Sequence, residues 1–157
     1  IIMCGIFGLS ISDNIDGSNI QIEEILRDLF IFSESRGKEA SGVAFKTDTG
    51  INILKSGLPA SKLFKSENFA QIYNHSLENS LKSFNVIGHS RLVTNGRACL
   101  NINNQPVVNN SLACVHNGIV TNDDKIWDQL KLEPASDLDT DALVHLIQAY
   151  RNSLDLT

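Results

Sequence analysis

Two β-rich runs joined by four polar residues constrain the fold of this chain more than any other local feature. Ala40–Lys46 and Ile51–Lys55 flank the connection Thr47-Asp48-Thr49-Gly50, and a connection this short predicts a β-hairpin. Upstream of it, apolar residues recur at helical spacing and stop before Gly37: Ile22, Ile25, Leu26, Leu29 and Phe30. We therefore expect an antiparallel sheet with an amphipathic helix packed against it.

The rest of the chain alternates between helical and β-rich patterns. A stripe of apolar residues predicts a helix over Glu67–Phe84, and two more helices are predicted around Asp124–Leu132 and from Asp139 to Tyr150. The short β-rich runs Val86–His89 and Leu112–His116 each lead into a loop rich in Gly, Asn or Thr. Loops that follow strands in this way often carry functional residues.

Composition limits the function classes. The chain has 157 residues, of which 42% are hydrophobic, enough for one domain with a substantial core. A net charge of -5 without a Lys/Arg cluster argues against nucleic acid or anionic membranes as partners. No apolar run reaches the length of a membrane span, and the amino end lacks a secretion signal, which predicts a cytoplasmic protein. Three cysteines without CxxC spacing argue against a disulfide framework and a cysteine-rich zinc site, and they predict a reducing compartment. The four histidines show no ligand spacing, so we expect no metal, and we expect no cofactor.

Cys4 begins the first predicted strand, Cys4–Ser12, and is the main candidate nucleophile. A cysteine at a free amino terminus supplies both a thiol and an α-amine, and the amine can take the proton of the thiol near neutral pH. Ile1–Met3 precede Cys4 in this sequence, so the mechanism requires their removal. Without further support, a single cysteine in a strand is ordinarily a small buried hydrophobic residue.

Five short segments, taken in order, provide that support: MCGIFG at 3–8, SRGKEASG at 35–42, GHSRLVTNG at 88–96, HNGIVTN at 116–122 and SDLDTDALVHLI at 136–147. In this order they resemble the class II glutamine amidotransferases, whose N-terminal-nucleophile glutaminase domain releases ammonia from glutamine. The resemblance extends from Cys4 to about Leu146. Three positions depart from the family pattern: Glu39 replaces an aspartate, Leu92 replaces an aromatic residue, and Asn95 stands where relatives have His or Ala.

The resemblance implies a role for each candidate residue. Cys4 would attack the glutamine side-chain amide, and the Asn117 side chain and Gly118 N–H would form the oxyanion hole. Arg91 would bind the α-carboxylate of glutamine and Asp139 its α-ammonium. Three further residues are implied at the substrate site: Arg36, Thr94 and Gly96. Taken singly, Asn-Gly is typical of a turn, an arginine of a surface ion pair and this aspartate of a helix N-cap.

The implied fold is the α+β Ntn-hydrolase fold, a four-layer αββα sandwich of antiparallel sheets between helices. Residues 1–157 would form a glutaminase domain that is truncated at its C-terminus relative to the family. The implied reaction hydrolyses L-glutamine through a cysteine thioester and supplies ammonia to an acceptor, with a sugar phosphate preferred. The acceptor would be bound by a synthase domain or subunit, and homo-oligomerisation is left open.

Two other functions remain open at this point. A glutamine-binding regulatory module would keep the pocket without turnover if Ile1–Met3 stayed in place. An N-terminal cysteine hydrolase acting on another amide ranks last, because Arg91 and Asp139 suit a free amino acid. The identity of the amino-terminal residue in the purified protein distinguishes the first alternative, and the amide that reacts distinguishes the second.

Overall fold

A four-stranded antiparallel sheet forms the centre of the structure, a computed structural model that describes residues 4–12, 19–80, 82–92 and 101–154. The strands lie in the order β1-β4-β2-β3, and a separate two-stranded ribbon pairs β5 with β6. The elements in chain order are β1 Gly5–Ser12, α1 Asn19–Glu34, β2 Ala40–Lys46, β3 Ile51–Ser56, α2 Ala60–Phe64, α3 Glu67–Glu78, β4 Ser83–Arg91, a 3-10 turn Asn101–Asn103, β5 Val107–Asn109, β6 Leu112–Cys114, α4 Asp123–Leu130 and α5 Asp139–Ser153.

The register of the sheet brings the start of β1 to the end of β4. Gly5 pairs with Ser90 in the β1–β4 ladder, and Ala40 pairs with Arg91 in the β2–β4 ladder. The predicted hairpin is present as β2 and β3, with Phe45 opposite Asn52. The residues just outside β1 and β4 consequently meet at one end of the sheet.

One face of the sheet packs against α1, α2 and α3 through aromatic side chains. Phe30 of α1 is fully buried, and its ring centroid lies 4.8 Å from that of Phe7 and 5.3 Å from that of Phe69. α3 begins at a Ser66 N-cap whose hydroxyl accepts a hydrogen bond from the Phe69 N–H at 3.2 Å. The buried members of this core are Ile22, Leu26, Phe30, Val43, Phe45, Ala60, Leu63, Phe69, Tyr73, Phe84 and Val86.

The opposite face of the sheet approaches the second half of the chain. A Cβ on Gly42 of β2 would lie 2.2 Å from the carbonyl oxygen of Gln105, so only glycine allows this close approach. The β5–β6 ribbon lies against α5, and α4 and α5 share a smaller core around Ile126, Trp127 and Ala142. The segment around Gln105 therefore connects this half to the sheet.

The α+β class predicted from the sequence is confirmed, whereas the four-layer sandwich stays a prediction. The helix predicted over Glu67–Phe84 is wrong at its end: α3 stops at Glu78, and fully buried Phe84 belongs to β4, where it packs against α3. The short elements α2 and β5 had no clear sequence pattern. In α5, Ile147 and Tyr150 fit the predicted apolar stripe but are 37% and 59% exposed.

Candidate active site

The paired ends of β1 and β4 place Cys4 beside the backbone of Leu92. The Leu92 N–H donates a hydrogen bond to Cys4 Sγ at 3.4 Å, and Sγ lies 3.7 Å from the Leu92 carbonyl oxygen, to which a thiol can donate. Gly37 makes room for this arrangement, because a Cβ there would lie 2.3 Å from the Arg91 carbonyl carbon. The sulfur is thus oriented by main-chain groups, and Cys4 is partly buried.

The loop after β6 brings Asn117 to the same residue. The Asn117 Nδ2 donates a hydrogen bond to the Cys4 carbonyl oxygen at 3.1 Å across a sequence separation of 113 residues. A carboxamide nitrogen carries two N–H donors, so this contact engages one of them. Gly118 follows at the surface, and a Cβ there would lie 2.6 Å from Nε2 of His116.

Arg91 is the last residue of β4 and is 5% exposed. Its Nη1 donates to the Asn103 carbonyl oxygen and to Asn104 Oδ1, the latter at 2.8 Å. Burial lowers the pKa of Arg91, and the charges of Cys4 and Glu39 oppose this shift. The guanidinium is therefore held in place by the segment that follows β4 in the described chain.

Asp139 lies at the start of α5, and its side chain points back to the Asn117 loop. Its Oδ2 accepts a hydrogen bond from the Val120 N–H at 2.6 Å, and Oδ1 lies 3.4 Å from the Thr140 hydroxyl. An aspartate in the first turn of a helix is favoured by the helix dipole. The carboxylate ties the helix to the loop that carries Asn117.

Five of the predicted site residues line one cavity of about 700 Å³. Its size suits a small ligand. The structure brings together groups that are far apart in the sequence, with His116, Gln105 and Leu92 also in the wall. The predicted residues in the wall are Cys4, Arg91, Asn117, Gly118 and Asp139.

Of the other three predicted residues, the structure describes only Arg36, which does not line this cavity. Arg36 is exposed in the turn after α1 and lines a smaller cavity of about 360 Å³, which shares Cys4 and Asn117 with the first. Thr94 and Gly96 lie outside the described residues. Arg36 was predicted close to the nucleophile, and it shares this smaller cavity, rather than the larger one, with Cys4.

His89 lies in the wall of the larger cavity and is 1% exposed. Neither of its ring nitrogens has a hydrogen-bond partner within the described ranges. Burial, followed by the charges of Arg91 and His116, lowers the pKa of His89 to about 4. The imidazole is therefore neutral at pH 7.

Several polar residues at the site were missed by sequence reasoning. The Gln105 side chain binds the backbone of His116 and the Thr140 hydroxyl, and Asn103 exchanges two hydrogen bonds with Asp137. No spacing or periodicity in the sequence signals these pairs, because each joins segments more than ten residues apart. The nearest signal is that Asn103 and Gln105 lie between the GHSRLVTNG and HNGIVTN segments.

Across the described part of the chain, no cluster of three or more His, Cys, Asp or Glu side chains could hold a metal ion. Nor does any helix in these ranges have the length and apolar character needed to cross a membrane.

The chain matches no family model. It is 34% identical over 154 residues to the glutamine--fructose-6-phosphate aminotransferase [isomerizing] of Fusobacterium nucleatum subsp. nucleatum, an alignment that covers 92% of this chain and 22% of the relative. The proteins of the same name from Chlamydia pneumoniae and Pseudomonas syringae pv. tomato are each 31% identical to it. Those alignments cover 98% and 92% of this chain, and 24% and 22% of the relatives.

This chain is similar to the class II glutamine amidotransferases. The similarity covers nearly the whole chain, and it agrees with the five segments that carry the family resemblance. The chain spans between 22 and 24% of the length of these relatives. It therefore aligns with only a portion of each of these larger proteins.

Proposed function

We propose that residues 1–157 form a glutaminase domain that hydrolyses the side-chain amide of L-glutamine and supplies ammonia to an acceptor. One observation carries this proposal: Cys4, Asn117, Arg91 and Asp139 line a single cavity although they come from four separate segments. This set supplies a nucleophile, an amide donor, a cation and an anion, which are the groups that a free amino acid amide requires. The proposed fold is the four-layer αββα sandwich of N-terminal-nucleophile hydrolases.

In the proposed reaction, Cys4 Sγ attacks the side-chain carbonyl carbon of glutamine. The α-amine of Cys4, freed by removal of Ile1–Met3, takes the thiol proton and passes it to the departing nitrogen, which leaves as ammonia. A γ-glutamyl thioester results, and water hydrolyses it to glutamate and the free thiol. The Leu92 N–H that contacts Sγ keeps the sulfur oriented for the attack.

The tetrahedral intermediate carries a negative oxygen, for which we propose the Asn117 side chain and the Gly118 N–H as donors. Asn117 is already anchored through its contact with the Cys4 carbonyl oxygen, which keeps its amide within reach of the substrate of Cys4. Preorganised donors of this kind are typically worth about 2.7 to 4 kcal/mol of barrier. The loop thus contributes to the chemical step rather than to binding alone.

Arg91 and Asp139 would hold the two charged ends of glutamine. The guanidinium suits bidentate binding of the α-carboxylate, and the Asp139 carboxylate suits the α-ammonium. We also propose Thr94 and Gly96 as pocket residues and Arg36 as a residue that organises the site from the second cavity. These three assignments rest on the family resemblance.

We propose the acceptor from the name of the relatives, which pairs glutamine with fructose 6-phosphate. A synthase domain or subunit would bind this sugar phosphate and receive the ammonia. The domain itself needs no cofactor for the proposed hydrolysis, because the nucleophile, the base and the oxyanion donors all come from the chain.

The deciding experiment measures glutamate release from glutamine by protein whose amino-terminal residue has been established by mass spectrometry. We expect activity when the chain begins at Cys4, and a loss of at least about 10³-fold in Cys4→Ser, because a hydroxyl is a far weaker nucleophile at this pH. Cys114→Ser, at the other described cysteine, is the matched control and should retain activity. Full activity in Cys4→Ser, or in protein that retains Ile1–Met3, would contradict the mechanism.

A further inference from the structure

The carboxamide of Gln105 binds both backbone groups of His116. Gln105 Oε1 accepts from the His116 N–H at 2.6 Å, and Gln105 Nε2 donates to the His116 carbonyl oxygen at 3.0 Å. The same Nε2 lies 3.2 Å from the Thr140 hydroxyl oxygen. One buried side chain, 7% exposed, therefore joins two segments of the cavity wall.

The two residues that Gln105 binds are the immediate neighbours of proposed site residues. His116 precedes Asn117, and Thr140 follows Asp139. β6 ends at Cys114, so His116 lies beyond the hydrogen bonds of the ribbon. If β6 were longer, a neighbouring strand would pair with the N–H and C=O of His116. The Gln105 carboxamide makes these two hydrogen bonds instead.

Gln105 is itself anchored to the sheet. Its carbonyl oxygen lies so close to Gly42 of β2 that a Cβ there would be 2.2 Å away. The residue before it, Asn104, accepts a hydrogen bond from Arg91 at 2.8 Å. The side chain therefore fixes the Asn117 loop relative to the sheet, whose strand β1 begins directly after Cys4.

We infer that Gln105 is a positioning residue, whose carboxamide sets the Asn117 amide and the Gly118 N–H at the distance from Cys4 that the oxyanion requires. This inference rests on the proposed function of the site. The two hydrogen bonds between the Gln105 carboxamide and the His116 backbone are called the clamp below. A positioning role differs from a stabilising role in one respect: loss of the clamp destabilises the transition state, because the oxyanion donors that the clamp positions act in the transition state.

The first test compares Gln105→Leu with Thr47→Val. Thr47 is 3% exposed, and its hydroxyl also makes three backbone contacts, to Thr49 N–H, Gly50 N–H and the Gly50 carbonyl, in the turn between β2 and β3. For Gln105→Leu we expect kcat to fall by at least about 10-fold, with little change in KM. The loss should be smaller than the 10²- to 10³-fold loss that is typical when an oxyanion donor is removed. Thr47→Val should lower the unfolding midpoint and leave kcat unchanged.

A second variant, Gln105→Glu, keeps the size of the side chain and makes the clamp depend on pH. The ionised carboxylate only accepts hydrogen bonds and repels the His116 carbonyl, whereas the protonated acid has one O–H donor and one carbonyl acceptor and can restore both contacts with the His116 backbone. We expect the ratio of Gln105→Glu activity to wild-type activity to rise as the pH falls. A ratio independent of pH would contradict the inference, even if Gln105→Leu does not fold.

A double-mutant cycle with Asn117→Ala separates positioning from general stability. If Gln105 acts through Asn117, Gln105→Leu costs less activity in the Asn117→Ala background than in the wild type. Equal losses in both backgrounds would overturn the inference while leaving the proposed function intact.

Hydrogen exchange tests the clamp without turnover. We expect Gln105→Leu to increase amide exchange at 116–118 and to leave the β2–β3 hairpin protected. Unchanged exchange at 116–118 would overturn the positioning role.

The proposed function of the site fails by a different result. It fails if wild-type protein with a free Cys4 does not hydrolyse glutamine.

Discussion

The two faces of the central sheet are stabilised in contrasting ways. On the helix-covered face, Phe30, Phe45 and Phe69 meet through ring contacts at centroid distances of 5 to 6 Å, within a continuous apolar core. On the opposite face, Arg91 and Gln105 make directional hydrogen bonds to residues on other loops. The first face depends on buried area, and the second depends on the pairing of particular atoms.

This difference separates stability from chemistry within one sheet. Apolar contacts are non-directional and tolerate exchanges of similar volume. Amide and guanidinium contacts have fixed donors and acceptors, so a change of one atom can leave a buried partner unsatisfied. We therefore expect substitutions on the helix-covered face to act on the free energy of unfolding, and substitutions around the cavity to act on turnover.

The largest expected effect on stability is that of Phe30→Ala. Phe30 is fully buried, and truncating a buried phenylalanine typically lowers the free energy of unfolding by about 3 to 5 kcal/mol. Phe32, on the same helix, is 72% exposed, and Phe32→Ala should change stability by less than about 0.5 kcal/mol. Urea unfolding of both variants measures this, and kcat per folded Phe30→Ala molecule should match the wild type. Equal stabilities would show that the aromatic core does not carry the fold.

Asn117→Ala should have the converse signature. We expect kcat for glutamine hydrolysis to fall by about 10²- to 10³-fold, because an oxyanion donor is lost, with the unfolding midpoint nearly unchanged. Steady-state kinetics beside thermal unfolding measure both. Asn85→Ala, on β4 outside the cavity, is the matched control and should keep wild-type kcat. A large stability loss with normal kcat would place Asn117 among the structural residues.

We expect His89, on the face of the sheet that lines the cavity, to make the free energy of unfolding sensitive to acid. Its pKa is about 4 in the folded chain and 6.5 as the ordinary value, so the unfolded chain binds the proton more strongly. The stability that neutral His89 provides is present above pH 6.5 and is lost as the pH falls toward 4, by a total of about 3 kcal/mol. Arg91 and His116 are the neighbouring groups that oppose its protonation.

The test measures the free energy of unfolding of wild type and His89→Leu between pH 7.5 and 4.5. We expect the wild type to lose more stability than the variant over this interval, because the variant has no imidazole to protonate. Parallel curves for the two proteins would show that another group causes the acid sensitivity.

The smallest expected effect is that of Arg91→Lys on glutamine binding. An ammonium cannot reproduce the two parallel hydrogen bonds of a guanidinium, and a charge-assisted hydrogen bond is worth about 1.5 to 3 kcal/mol. We expect KM for glutamine to rise by about 10- to 100-fold, with a smaller change in kcat. Initial rates over a range of glutamine concentrations measure this. An unchanged KM would remove Arg91 from the substrate site.

The helix-covered face was largely predictable from the sequence. The apolar spacing from Ile22 to Phe30 and the runs of β2 and β3 identify α1 and the hairpin, because burial on one face imposes a period on the sequence. The pattern failed at Phe84, where a buried aromatic residue continued a helical stripe by chance. Periodicity could not reveal that the chain had already entered β4.

The sequence named candidate residues that the structure places together, but it did not predict their geometry. The family segments named Cys4, Arg91, Asn117, Gly118 and Asp139, which line one cavity, but they also named Arg36, which lines another. They gave no sign of Gln105, and they contain His89 without assigning it a role. Contacts such as that of Gln105 with His116 depend on how a loop crosses the sheet, which short motifs do not encode.

The order of residues along the chain thus specified most of the secondary structure, the class of fold and the chemical groups available. Whether those groups meet depends on the strand register, which pairs Gly5 with Ser90 and so sets Cys4 beside Leu92. It depends equally on the absence of a side chain at Gly42, which admits the Gln105 carbonyl. Periodicity reflects burial, which is a local average, whereas hydrogen-bonded sites require particular atoms from distant segments to lie within about 3 Å of each other.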